Sequence, residues 1–321
     1  MQDFSLEQSL KMLAEKINEI AQYDGDFTTV VPSLSVHRRN APTTPVHCIY
    51  GIGLGVVIQG SKEVVLGGKV TGYRAGQTLL TTLELPVVSH VATATASAPF
   101  LGMMVTIEPA AVMQTAAMIP FRPAAKSSVF DPLAVNELDA GLADTLRRLL
   151  SLNDEPPLIQ HLAPLIQQEI IIRLLTGPYG SALRHIASPG SPGQQISGAV
   201  AWLKQHFTQP VSIDELASRS SMSTSSFRHH FRSVTGMSPL QFIKKLRLQE
   251  ARQQMLNSHL DAVSAAIKVG YESASQFSRE YSREFGESPL RDIRRLRENY
   301  CTIRTSPACQ SRYLWFLSAL Q

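Results

Sequence analysis

Leu6, Leu10, Leu13, Ile17 and Ile20 follow one another at alternating steps of four and three. That spacing draws a single apolar stripe down a helix. It predicts a helix over residues 5–22, closed by Asp24-Gly25. Residues 27–108 then change period. Short β-branched runs such as GLGVVIQ, KEVVL and PVVSHV alternate with Gly and Pro, the pattern of an all-β sandwich or barrel. Gly67-Gly68 between KEVVL and KVTGY predicts a tight hairpin. A barrel of this size, placed at about 27–125, can enclose a small ligand. Residues 131–186 return to helical spacing, with Leu138, Leu142, Leu146 and Leu149 at steps of four, four and three and a break at 153–157. These helices are expected to cover the barrel or to pair with a second protomer. Residues 187–194 are rich in Pro, Gly and Ser and are expected to be a linker.

The last third repeats itself. Phe227, Phe231, Gly236, Ser238, Pro239 and Leu240 recur fifty positions on as Phe277, Tyr281, Gly286, Ser288, Pro289 and Leu290, with Ser223 and Ser225 answering to Ser273 and Ser275. Each copy reads as a short helix, a tight turn and a second helix. In the first, Ser212 and Glu215 have capping-box spacing, Ser221-Met222 makes the turn and Ser223 starts the next helix. Phe227 and Phe231 face inward. Gly236 closes the helix in the left-handed conformation, and Ser238-Pro239 restarts the chain as N-cap and first helical residue. In the second copy Gly270-Tyr271 makes the turn and Ser273 caps. Residues 239–257 predict one long joining helix. Two helix-turn-helix units are therefore expected at about 212–234 and 261–285.

If the aromatics face inward, Ser225, Arg228, His229 and Arg232 face outward in the first copy. Ser275, Gln276, Ser278, Arg279 and Ser282 do so in the second. Arg matches guanine and Gln matches adenine in a major groove, and Ser and His are adaptable. Lys244, Lys245, Arg247 and Arg283 are candidate phosphate contacts. Charge favours this half: residues 194–299 hold 15 Lys/Arg against 10 Asp/Glu, whereas residues 1–193 hold 13 against 16. The ligand-holding residues of the first half are not legible. Composition adds exclusions. With 44% hydrophobic and 17% charged residues the 321-residue chain is that of a globular protein. It shows no apolar run of the roughly 18 residues that a membrane span needs. The acidic, polar N-terminus does not read as a secretory signal. Cys48, Cys301 and Cys309 lack metal-type spacing, and a cytoplasmic protein with reduced thiols is expected.

Over about residues 195–298 the chain resembles the AraC/XylS-type bacterial transcription regulators. IDELA, FRHHFRSVTGMSPLQFIKKLRLQEA and AIKVGYESASQFSREYSREFGESPLRDIR carry the likeness. The stretch GLGVVIQGSKEVVLGGKVTGY through LPV resembles the cupin-like N-terminal domain of the same regulators. The resemblance implies an α+β fold: a cupin-like β-barrel with flanking helices over 1–186, then an all-α DNA-binding domain and a tail at 299–321. It implies recognition helices near 223–234 and 273–285 in adjacent major-groove segments. It further implies double-stranded DNA, a small-molecule effector, a second protomer and RNA polymerase as partners; an activator is the expectation, although the sequence does not itself decide between activation and repression. One departure stands out: Glu284 and Glu287 flank the second glycine, where a basic residue is usual, which would weaken backbone contact there. No catalytic motif, cofactor or metal is expected, because His37, His47 and His90 do not form the ligand set of a metal-binding cupin. A cupin-type enzyme with a DNA-binding appendage and an architectural DNA-bending protein are the competing classes.

Overall fold

A computed structural model describes residues 5–119, 131–188 and 190–304. Helix α1 (Leu6–Ile20) starts at a full capping box between Ser5 and Gln8 and buries Leu13 and Ile17. Ten strands follow among the described residues: β1 (Gly25–Thr28), β2 (Leu34–Arg39), β3 (Val46–Tyr50), β4 (Gly53–Gln59), β5 (Ser61–Leu66), β6 (Lys69–Arg74), β7 (Gln77–Thr81), β8 (Leu85–Thr93), β9 (Phe100–Thr106) and β10 (Leu133–Glu137). They form two antiparallel sheets, ordered β1-β2-β9-β4-β7-β10 and β3-β8-β5-β6. Strand β4 explains the layering. Leu54, Val56 and Ile58 point one way, into a core shared with α1 and with α3 (Ala140–Ser151) and α4 (Pro156–Thr176). Val57 points the other way, toward Val64 and Val87 of the second sheet. A strand covered on both faces reads as a continuous apolar run, as GLGVVIQ does. At the hairpin between β5 and β6, Gly67 and Gly68 both have positive φ (57° and 88°), as a two-residue primed turn requires.

Three boundaries differ from the sequence expectation. Leu133–Glu137 is a strand, not the start of a helix: it pairs with β7 along the edge of the larger sheet, and the helix begins only after the Asp139 N-cap. Helix α2 (Pro109–Met118) lies within the span expected to be barrel. The expected linker is shorter, because α5 (Gly180–Ala187) is followed at once by Ser191 capping α6 (Pro192–His206). Residues 120–125 of the expected barrel and 305–321 of the expected tail lie outside the described residues.

Among the described residues the C-terminal half holds helices and no strand: α7 (Ile213–Arg219), α8 (Thr224–Thr235), α9 (Pro239–Asn257), α10 (Ala262–Lys268), α11 (Ala274–Phe285) and α12 (Pro289–Arg304). Helix α9 is the long connector that the sequence predicts.

Candidate DNA-binding surface

Each helix-turn-helix is set by one small residue and one left-handed residue. Ala217 and Ala266 are buried where the two short helices cross. The turn follows at Ser221 (φ 52°) in the first unit and Gly270 (φ 89°) in the second. Met222 N–H then returns to the Ala217 carbonyl and Tyr271 N–H to the Ala266 carbonyl, both at 2.9 Å. Of the reciprocal bonds expected between Ser212 and Glu215, one is present, Glu215 N–H to Ser212 Oγ at 3.4 Å. Asp214 instead accepts from Thr224 Oγ1 at 2.6 Å and ties α7 to α8. Ser223 and Ser273 cap α8 and α11, and Gly236 (φ 73°) and Gly286 (φ 81°) close them.

Beneath this common frame the cores differ. Phe231 meets Phe242 edge-on at 5.5 Å in the first unit. At the same two positions the second unit has Tyr281 and Asp292. Tyr281 Oη donates to Asp292 at 2.7 Å, and Arg252 donates twice to the same carboxylate at 2.7 and 2.8 Å. Asp292 is fully buried. Burial opposes its charge, but the Arg252 and Tyr281 hydrogen bonds outweigh that and hold the carboxyl below the usual range.

The frame leaves Ser225, Arg228, His229 and Arg232 exposed on α8, and Ser275, Gln276, Arg279 and Arg283 exposed on α11. Among the described residues the four arginines make no hydrogen bond or ion pair. Ser278 and Ser282, expected to face outward, are half-buried, and Ser282 Oγ donates to the Ser278 carbonyl within the helix. Lys244 pairs with Glu280 at 3.0 Å and Lys245 pairs with Glu284. Arg247, expected to contact phosphate, is engaged within the protein: its guanidinium donates to the carbonyls of Phe207 (2.7 Å), Gln209 (2.8 Å) and Gly270 (3.0 Å) and clamps the end of α6 to the second turn, leaving two of its five N–H groups unused by these bonds.

The sequence does not show that the β-domain reaches both reading heads. Leu66 and Gly67 at the β5–β6 hairpin press on Gly236 at the end of α8. At the opposite edge of that sheet, His47 of β3 contacts Glu284 at 3.3 Å and packs edge-on against Phe285 at the end of α11. Gln249 of α9 donates to the Cys48 carbonyl at 3.2 Å, and Lys204 of α6 pairs with Glu84. Burial disfavours the Glu284 carboxylate, yet His47 and Lys245 together bring it down to about 2. The acidic residue at a normally basic position is therefore an interdomain contact, a role that local pattern cannot reveal.

A family model described as the N-terminus of AraC-type transcriptional regulators matches residues 30–182, and one described as a helix-turn-helix domain matches residues 216–295. The HTH-type transcriptional activator RhaS of Escherichia coli (strain K12 / DH10B) is 33% identical over 101 residues, 32% of this chain and 36% of RhaS. The match thus spans about a third of that relative's length. The fold is similar to that of ToxT from Vibrio cholerae O395, with a TM-score of 0.52 at 12% identity, covering 81% of this chain and 96% of ToxT. With an N-terminal β-domain of that family, followed by two capped helix-turn-helix units on a shared connecting helix, the chain belongs to the AraC/XylS-type transcriptional regulators.

Proposed function

We propose that this protein is a sequence-specific, DNA-binding transcription activator of the cytoplasm, without enzymatic activity, controlled by a small effector held between its two sheets. The observation that carries the reading is the pair of exposed polar sets on α8 and α11, presented from matching caps, turns and inward aromatics. Arg228, Arg232 and Arg279, with Ser225, His229, Ser275 and Gln276, reach base edges, and Arg283 and Lys244 lie toward phosphates. The docking of the smaller sheet on both units supports control by the β-domain. Among the described residues no helix is long and apolar enough to cross a membrane, and no group of three His, Cys, Asp or Glu is placed to hold a metal. His37, His47 and His90 each face a different carboxylate, those of Asp26, Glu284 and Glu63.

Two partners extend the reading. Helix α4 leaves Leu158, Leu162, Leu165 and Ile172 exposed at steps of four, three and seven, a stripe suited to a second copy of the chain. RNA polymerase is the partner that an activator of this kind recruits.

The test is a mobility-shift assay on a selected operator with Arg228→Ala and Arg279→Ala. Each is expected to cost about 1–3 kcal/mol and to relax preference at a few base pairs. Undiminished sequence preference in both variants would refute the recognition helices. Uniformly weaker binding to all sequences would reassign the two arginines to phosphates.

A further inference from the structure

The effector reading leaves the chemistry of the ligand open, and the inner faces of the two sheets narrow it. On the smaller sheet, strand register puts Lys62 opposite Tyr73 and Val91, and Val64 opposite Ser89. Lys62 turns inward: its ammonium lies 5.4 Å over the Tyr50 ring, and Tyr50 Oη is 2.7 Å from Ser89 Oγ. Glu63, next along the strand, takes the other face and pairs with His90. Among the described residues the Lys62 ammonium has no carboxylate within ion-pair distance. The larger sheet does present a carboxylate, Asp26, but His37 (2.7 Å) and Arg39 (2.8 Å to each oxygen) already hold it. The half-buried Lys62 ammonium is thus left, among the described residues, without a carboxylate partner, which an anionic ligand would supply.

Space and polarity agree with this. Gly55 faces inward, and the volume a side chain would fill there is taken by the ends of Tyr73 (Oη 3.3 Å) and Met104 (Cε 3.7 Å). A methionine end is readily displaced. Thr81 shares the inward side of β7 with Leu79 and is fully buried, yet its Oγ1 lacks a hydrogen-bond partner among the described residues.

We propose that the space between the sheets binds a small molecule with one carboxylate and an apolar body, the carboxylate held by Lys62 beside Tyr50 and the body displacing Met104 from over Gly55. This rests on the effector reading and names its ligand class.

The test uses the full chain and monocarboxylates from butanoate to decanoate, with benzoate and phenylacetate, each beside its own primary amide. Thermal unfolding and operator affinity are both read. At least one acid is expected to raise Tm while its amide does not. Lys62→Met should weaken that acid at least tenfold, Lys62→Arg should retain most of the binding, and Glu63→Gln on the opposite face should change nothing. Without ligand, Lys62→Met should melt no lower than wild type, which a merely structural lysine would not allow. Amides matching their acids, a response surviving in Lys62→Met, or no acid raising Tm would each overturn the proposal. A neutral compound that changes operator affinity would leave the effector reading standing without the anion. An acid bound through Lys62 with no change in operator affinity would do the reverse.

Discussion

Gly67 and Gly68 offer a controlled measurement of how firmly the β-domain holds the first reading head. Both have positive φ, so an alanine at either costs about 1–2 kcal/mol of backbone strain. Only one of them meets the other domain. A Cβ on Gly67 would overlap the Gly236 carbonyl oxygen and lie 3.0 Å from its carbon, whereas one on Gly68 has nothing within 4 Å. The overlap must be relieved by moving the hairpin off the end of α8. That move begins to expose Leu66 and Met237, now 7% and 4% accessible, each worth about 1.5–3 kcal/mol when fully exposed. Gly68→Ala should therefore lose about 1–2 kcal/mol and Gly67→Ala about 2–4 kcal/mol. Calorimetry should show the larger drop in Tm for Gly67→Ala. Amide exchange in that variant should speed up at Met237 but not at Phe277. Operator binding should survive, because the exposed faces of α8 and α11 are untouched. Equal destabilisation by the two alanines, with unchanged exchange at Met237, would refute the claim that this contact joins the domains.

Ser221 occupies the left-handed turn position that Gly270 fills in the second unit, so Ser221→Gly should gain about 0.5–1 kcal/mol in urea unfolding. Gly270→Ala should lose about 2–3 kcal/mol, since its Cβ would overlap the Thr208 carbonyl oxygen. Asp292→Asn leaves the Arg252 charge without its counter-ion in a nearly dry site, and chemical denaturation should register a loss of about 3 kcal/mol. Glu284 is held at about 2 against an ordinary 4.5, so its stabilisation is complete above pH 4.5 and disappears as the pH falls toward 2. The stability gap between wild type and Glu284→Gln, at most about 3 kcal/mol at neutral pH, should close over that window.

The C-terminal units were legible because their determinants are local. Ser223, Gly236 and Ser238 act on backbone within a few residues, and Phe227 and Phe231 meet one face of a single helix. The start of α3 was not, because LAVNE leads straight into the leucine stripe, and only pairing with β7 decides that it is extended. Arg247 beside Lys244 and Lys245 looks like part of a phosphate-binding patch until the fold brings Phe207 and Gly270 to it. Asp292 did leave a usable trace. It falls at the repeat position of Phe242, and a carboxylate replacing a core aromatic signals a buried partner, here Arg252 and Tyr281. Lys62 left none, since which face of a strand is the inner one depends on how the sheets stack.

The two reading heads are held by opposite edges of one four-stranded sheet, and that arrangement makes them separable. Strand β6 and its hairpin form the edge against α8, and β3 forms the edge against α11. Three strand spacings, about 14 Å, lie between the two edges. Along β3 the side chains alternate: Cys48 and Tyr50 belong with the inner core, and His47 reaches Glu284 and Phe285. Burial pushes the Cys48 thiol up to about 11, so it is a neutral part of that lining. A ligand seated against Tyr50 therefore acts on a strand whose other side touches α11 but not α8. Footprints taken with and without an effector should change first over the bases covered by α11, and His47→Ala should remove that change while leaving the α8 half intact. A change confined to the α8 half, or an unaltered response in His47→Ala, would show that the signal leaves the β-domain by another route.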